Sequence, residues 1–529
     1  MRSSTVSNNS VNLYGIRRRT QLPIALLMVL SLGACGGDAG TASTGTANSP
    51  QAVPPISSAA ALLAPAPAEQ PSLVPLVNGE GAALTVSTTG SIDKGNAFFK
   101  AFGNGRSCAS CHQESQGWSI RPDNLQDRFT QTNGNDPVFA LNDGANSPNA
   151  LTATIDQKRL AYSMLLTKGL IRVGLAVPAD AEFTLVKVDD PYGYASTKEL
   201  SLFRRPMPTT NLKFLSTVMW DARETFADAR SNLCIRNSRP LQCFATTDFD
   251  LLHQSNSAVT GHAQAAQGLT AAEQRSIVDF EKTLFTAQIT SLAAGNLTDA
   301  GAKGGPLGLA KNNFYFGIND IDVGDYLSGA PFDRNVMAMF TAWRGLDRPT
   351  PPIPPAQGRP GQPGQPPSAI NIARASVARG EQIFNNKPFN VSGVAGFNGE
   401  LRVALQRATC TSCHSVGNVG SHSVPRLFNT GVSDASLRTP DMPLYTLRNK
   451  LTGEIMETTD PGRAMNTGKW QDIGRFKVPS LRAIEARSPY FHNGGMVELT
   501  DVVKFYDKRF KIGLTPQEII DLTEFLKAL

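Results

Sequence analysis

The sequence predicts a mainly α fold built from two copies of one helical unit, enlarged by loop-rich insertions. Three observations point there. A Cys-x-x-Cys-His motif occurs twice, a closing helix with the same start occurs twice, and the landmarks between them recur in the same order. Self-similarity of this kind reports a repeated structural unit better than any single motif does. At 529 residues the chain is also too long for one ordinary core, and two domains are the natural expectation.

The elements follow in chain order. Arg17, Arg18 and Arg19 precede the apolar run LPIALLMVLSL, which ends at Leu32-Gly33-Ala34-Cys35. That run is too short to span a bilayer, so residues 1–34 read as an export signal. A plain cleaved signal is one possibility. The other resembles a bacterial lipoprotein signal, cut before a lipidated Cys35 and directed by Gly36 to the outer membrane. The segment holds four arginines and no acid, so its removal lowers the formal charge from +6 to +2. The basic balance therefore belongs to the signal, and nothing indicates a nucleic-acid partner. Residues 35–89 are rich in Ala, Pro, Ser, Thr and Gly with almost no charge, the composition of a disordered tether.

Residues 90–290 form the first expected domain and 371–529 the second. A connector, 291–370, joins them and includes the proline-rich run PTPPIPPAQGRPGQPGQPPSA at 349–369. Each domain begins with a short helical pattern, KGNAFF at 94–99 and RGEQIF at 379–384. Each then carries its motif, CASCH at 108–112 and CTSCH at 410–414. Each continues to a proline followed twelve residues later by an aromatic, Pro208 to Trp220 and Pro479 to Phe491. Each closes with a helix whose threonine N-cap is followed by glutamate three residues on: Thr270 and Glu273, Thr515 and Glu518. That spacing forms a capping box, and Phe280 and Phe525 hold the same later position.

The motif spacing has a chemical reason. The thiols of Cys108 and Cys111, or of Cys410 and Cys413, can add across the two vinyl groups of one haem. The adjacent His112 or His414 then supplies a proximal nitrogen to the iron. Zinc would need further ligands at metal-site spacing, and a redox dithiol would sit on a βαβ pattern without needing histidine twice. The reading is two cytochrome-c-like haem domains, each with one covalent c-type haem, in a protein that leaves the cytoplasm. Of the seven cysteines, only Cys234 and Cys243 then lack a role. In an oxidising periplasm they are expected to close a short loop as a disulfide, with free thiols as the alternative.

With these motifs in place, residues 90–529, apart from the proline-rich connector and the cysteine insertion, resemble the bacterial dihaem cytochrome c peroxidase family. That family includes the methylamine-utilisation maturation enzyme, a dihaem oxidase of protein tryptophans. The paired motifs, TVMWDAR at 217–223 and FKVPSLR…SPYFHNG at 476–494 carry the resemblance. It implies that the N-terminal haem reacts with peroxide, that the C-terminal haem relays electrons, and that Trp220 lies between them. His492 matches a histidine near the C-terminal haem. The place of that haem's distal ligand falls at Tyr506, as in the tryptophan-oxidising relative, with Met496 as the rival. Tyrosinate would favour ferric and higher states over the high potential that methionine gives.

At the N-terminal haem the family's removable histidine is missing from WSIRPDNLQDRF, which implies a site open from the outset. Gln254 matches the distal glutamine, and Gln264 stands where the distal glutamate is expected. His262 nearby could shuttle the proton in O–O cleavage, or could bind the iron instead. His253 and His422 read as structural. A calcium ion belongs to the family's pattern, but its site needs an asparagine where this chain has Arg205.

The function so implied is hydrogen peroxide reduction with electrons from a small periplasmic cytochrome c or cupredoxin. The protein would be lipid-anchored in the periplasm, at the outer membrane. The alternatives are a high-valent oxidase of a protein or small molecule, and a non-catalytic dihaem electron-transfer lipoprotein.

Overall fold

The computed structural model describes residues 74–355, 357 and 361–529; the signal, Cys35 and most of the expected tether lie outside the described residues. The closing helices, Ala271–Thr283 and Pro516–Lys527, anchor the architecture. In each, the threonine hydroxyl accepts from the backbone three residues on while the glutamate carboxylate accepts from the threonine N–H. The matched phenylalanines anchor matched cores. Phe280 packs on Phe98 and Trp118 with ring centroids 5.4 and 5.9 Å away, and Phe525 packs on Phe384 and Phe340 at 5.6 and 6.3 Å. Truncating such a ring to alanine costs about 3–5 kcal/mol.

The repeat is not symmetrical at its start. Around KGNAFF only Ala97–Phe99 is a 3-10 turn, whereas RGEQIF lies inside the helix Ala369–Asn386. That helix packs directly on Pro516–Lys527. At the crossing, a Cβ on Gly380 would stand 2.0 Å from the Asp521 carbonyl, so only glycine permits the approach.

The expectation of a mainly α fold is corrected. Helix accounts for 31% and strand for 17%, with one four-stranded, one three-stranded and four two-stranded sheets among the described residues. Most of the strands come from segments outside the matched landmarks, where alternation is short and the pairing partner is distant in sequence. Leu76–Asn78 and Gly81–Ser87 pair with each other, and the second pairs with Leu284–Ser291. The expected tether therefore ends earlier than residue 89, because Ala82, Ala83 and Val86 are buried under the closing strand. Within the expected connector, Leu297, Met337, Phe340 and Trp343 are buried in the same apolar cluster as Phe525. Among the described residues no helix is long and apolar enough to cross a membrane.

The two halves interlock. Phe183–Asp189 pairs antiparallel with Leu444–Asn449, joining strands from either side of the connector. Arg204 is buried between Asp460, which accepts from Nε at 2.7 Å and Nη2 at 2.9 Å, and Asp221, which accepts from Nη1 at 2.5 Å. A buried charge is tolerated only when paired so completely, and loss of one partner costs about 3–5 kcal/mol. Asp221 directly follows Trp220, so the same cluster fixes the turn that carries the tryptophan.

Candidate functional site

His112 and His414 are held in the same way. Each follows a 3-10 turn that begins at its first cysteine and is C-capped by its second, and each uses Nδ1 to donate to the backbone carbonyl six residues on: Trp118 for His112, at 3.2 Å, and Gly420 for His414. This fixes the tautomer and leaves Nε2 with its lone pair for a metal. Burial pushes both imidazoles down to about 4, keeping them neutral at physiological pH. Cys108, Cys111, Cys410 and Cys413 are all outside disulfides, whereas Cys234 and Cys243 are joined by one between the paired short strands Cys234–Ile235 and Gln242–Cys243.

One cavity of about 390 Å³ reaches both histidines. That is within the range of ligand-sized sites. Beside His112, its wall is the helix Thr247–Gly261 and its C-cap. Leu251, Gln254, Ala258 and His262 follow at helical spacing and all line the cavity. Beside His414, its wall is the helix Leu499–Phe510, where Leu499, Val502, Val503, Tyr506 and Phe510 share one face. Phe389 stacks on Phe510 at 5.4 Å, so this side is aromatic. Tyr506 is half-buried there, and desolvation pushes its phenol up to about 12. Met496 does not line the cavity; it packs on the apolar cluster and its carbonyl accepts from Tyr490 N at 2.6 Å.

Trp220 also lines the cavity. Its Nε1 donates to the Arg205 carbonyl at 2.8 Å, and its ring meets His492 edge-on at 6.3 Å. His492 is stacked on Phe476 at 3.9 Å, and neither ring nitrogen has a hydrogen-bond partner among the described residues. His253 pairs with Glu224, and His422 donates to the Cys413 carbonyl. Gln264 is outside the cavity wall, with left-handed backbone and a weak contact to Asn104.

The sequence did not reveal what holds His262. Its Nδ1 meets Asp143 Oδ2 at 2.5 Å, and Arg106 pairs with the other oxygen of that carboxylate at 2.5 Å. Burial would raise Asp143, but the bonds and charges of His262 and Arg106 outweigh it and hold it below the usual carboxylate range. No local pattern joins residues this far apart in sequence.

The residues present fit a haem. Besides the thiols and the two imidazoles, the cavity presents Arg205, Lys477 and Arg487, none of them in an ion pair among the described residues. Burial pushes Lys477 down to about 7 and Arg487 to about 9. Unpaired buried cations are costly, and a group carrying carboxylates, such as the haem propionates, would satisfy them. Calcium does not fit in the same way. At Arg205 the guanidinium already donates to the carbonyls of Lys168 at 2.7 Å and Ile120 at 2.8 Å, and approaches Arg487 and Ser488 at 3.3 and 3.5 Å.

Cytochrome-c peroxidase IdrP1 of Denitromonas iodatirespirans is 33% identical over 146 residues, covering 23% of this chain and 37% of that protein. Its namesake in Pseudomonas sp. strain SCT is 30% identical over 157 residues, 26% of this chain and 38% of the relative. Cytochrome c551 peroxidase of Nitrosomonas europaea is 38% identical over 76 residues, 14% of this chain and 23% of the relative. Over these stretches the chain is similar to bacterial cytochrome c peroxidases. The chain spans less than two fifths of the length of these cytochrome c peroxidases. No family model and no solved structure matches.

Proposed function

We propose that this cytochrome c peroxidase relative reduces hydrogen peroxide to two waters, taking up two electrons and two protons. The observation that supports this best is the asymmetry of one cavity: identical histidine anchors, a polar helix opposite the first and an aromatic helix opposite the second. Cys108, Cys111 and His112 would hold one c-type haem, and Cys410, Cys413 and His414 the other. When bound, the haems supply the position at which the O–O bond is cut and the store from which electrons arrive.

The chain's residues do the rest. Gln254 offers an amide that orients peroxide, and His262 moves a proton between its two oxygens. Trp220 occupies the wall shared by the two sites, in line with an electron path. Beside His414, Tyr506 is the polar side chain of the helix Leu499–Phe510 that lines the cavity, so Tyr506, in preference to Met496, would help to hold the second haem. A pocket of about 470 Å³ on that side is rimmed by Arg407, Arg509 and Lys511, exposed and without ion-pair partners among the described residues. It suits the acidic face of a small periplasmic cytochrome c or cupredoxin. The arginine-led apolar run and Cys35 support export to the periplasm and a lipid anchor at the outer membrane.

Tyr506 also favours a second reading, an oxidase acting on a protein or small molecule, since tyrosine ligation disfavours a high-potential relay. Low-temperature EPR of the oxidised holoprotein, before and after one equivalent of peroxide, tests the proposal. A high-spin signal altered by peroxide beside a low-spin one is expected. Two low-spin signals untouched by peroxide would overturn it and leave an electron-transfer protein. Turnover with a reduced cytochrome then separates peroxidase from oxidase.

A further inference from the structure

His262 is gripped at its carbonyl and its ring by two segments, one just before the first attachment motif at 104–106 and one at 142–143. Its carbonyl accepts from Asn104 Nδ2 at 3.0 Å, Arg106 Nη1 at 3.1 Å and Asn142 Nδ2 at 3.2 Å. Its ring reaches Asp143 Oδ2 at 2.5 Å through Nδ1. The backbones touch as well: Asn104 N donates to the Ala263 carbonyl at 2.8 Å, and a Cβ on Gly103 would stand 2.0 Å from that oxygen. Asp143 is itself immobilised by Arg106, whose Nη1 donates to Oδ1 at 2.5 Å. The remaining guanidinium nitrogens are bound to the Pro137 and Val138 carbonyls. The Arg106 and Asp143 side chains are 4% and 7% exposed, while the His262 ring is 38% exposed and lines the cavity. A buried, fully paired carboxylate thus ends in a half-open imidazole facing the site of His112.

We propose that Asp143, held by Arg106, is a positioning residue that fixes His262 with Nδ1 protonated and Nε2 free toward the open side of the first site. The proposal rests on the peroxide-reducing reading of that site. In that role Nε2 takes the proton from one peroxide oxygen and passes it to the other, which leaves as water when the O–O bond breaks. The oxygen left behind takes two electrons from the donor and two protons from solvent to become the second water. Asp143 keeps its charge throughout, so the carboxylate substitutes for an acid–base residue at a distance: it orients the base instead of acting as one.

Cyanide binding to the oxidised holoprotein gives a readout independent of turnover, because hydrogen cyanide must lose its proton as it binds. Its association rate would be measured in wild type, Asp143→Asn, Asp143→Glu, His262→Gln and the D143N/H262Q double variant, beside peroxide reduction and thermal melting. An orienting partner of this kind is worth roughly 10–100-fold. D143N and H262Q should each slow cyanide association by about that factor, the double variant no further, and Asp143→Glu should recover part of it. H262Q leaves the Arg106–Asp143 pair intact, so it serves if D143N does not fold. Unchanged cyanide rates in a folded D143N that merely melts lower would overturn the proposal, leaving a structural staple. It would equally fall if H262Q converted a low-spin signal to high-spin, since His262 would then be an iron ligand. Should cyanide rates behave as expected while wild type fails to turn over peroxide, the positioning role stands and the peroxidase reading falls.

Discussion

The two attachment sites share everything on one side of the cavity and almost nothing on the other. His112 and His414 emerge from equivalent turns, donate to carbonyls at the same offset and are kept neutral by the same burial. Gln254 and the braced His262 line the cavity beside the first, where Tyr506 and Phe510 line it beside the second. The attachment motif decides which cofactor can be held. The opposing helix decides whether that cofactor meets Gln254 and His262 or an aromatic wall.

The largest effect expected from breaking the comparison is at the shared feature. His112→Ala should abolish peroxide reduction, by more than roughly 10³-fold, as for a member of a catalytic unit. His414→Ala should spare the first site's single-turnover reaction with peroxide; stopped-flow absorbance distinguishes the two. Next, Tyr506→Met should make the second site resemble a high-potential relay. Its midpoint potential should rise by about 100 mV, within the roughly 0.8 V that axial ligation spans, while Met496→Leu leaves it unchanged in redox titration.

A smaller effect concerns the cation between the sites. Arg205→Met removes the donor to buried carbonyls and should cost about 1–3 kcal/mol in denaturant unfolding. Chelation by EGTA should leave the wild-type melting temperature unchanged.

The smallest effect is a pH slope confined to the first site's helix. Asp250, buried near its start, accepts from Phe226 N at 3.1 Å. Burial pushes its carboxyl up to about 7, with Glu224 adding to the rise. Because the folded value exceeds the unfolded one, the neutral acid stabilises fully at low pH, and that stability is lost as pH rises through about 7. Wild type should therefore lose more melting temperature between pH 5 and pH 8 than Asp250→Asn does, as read by calorimetry.

Legibility followed the range of the physics. The capping boxes at Thr270 and Thr515 depend on short spacings that a sequence displays directly, while Trp220, Gln254 and His262 are reached only through the resemblance and the internal repeat. The error in fold class arose because short strands such as Phe183–Asp189 are decided by a partner more than two hundred residues away. The same holds for the hairpin at 76–87 and for Phe340 and Trp343, which look like tether and connector until the core they complete is assembled.

By itself, then, the sequence determined the two Cys-x-x-Cys-His motifs and the capped helices that close each repeat, because motif spacing and helix capping need only neighbours along the chain. Only the tertiary structure decided that Tyr506 and not Met496 faces the cavity. The same is true of the carbonyl cluster that Arg205 fills and of the Asn104, Arg106 and Asp143 brace around His262. Those choices are made by burial and by ion pairs between distant segments, and such contacts leave no local pattern to read.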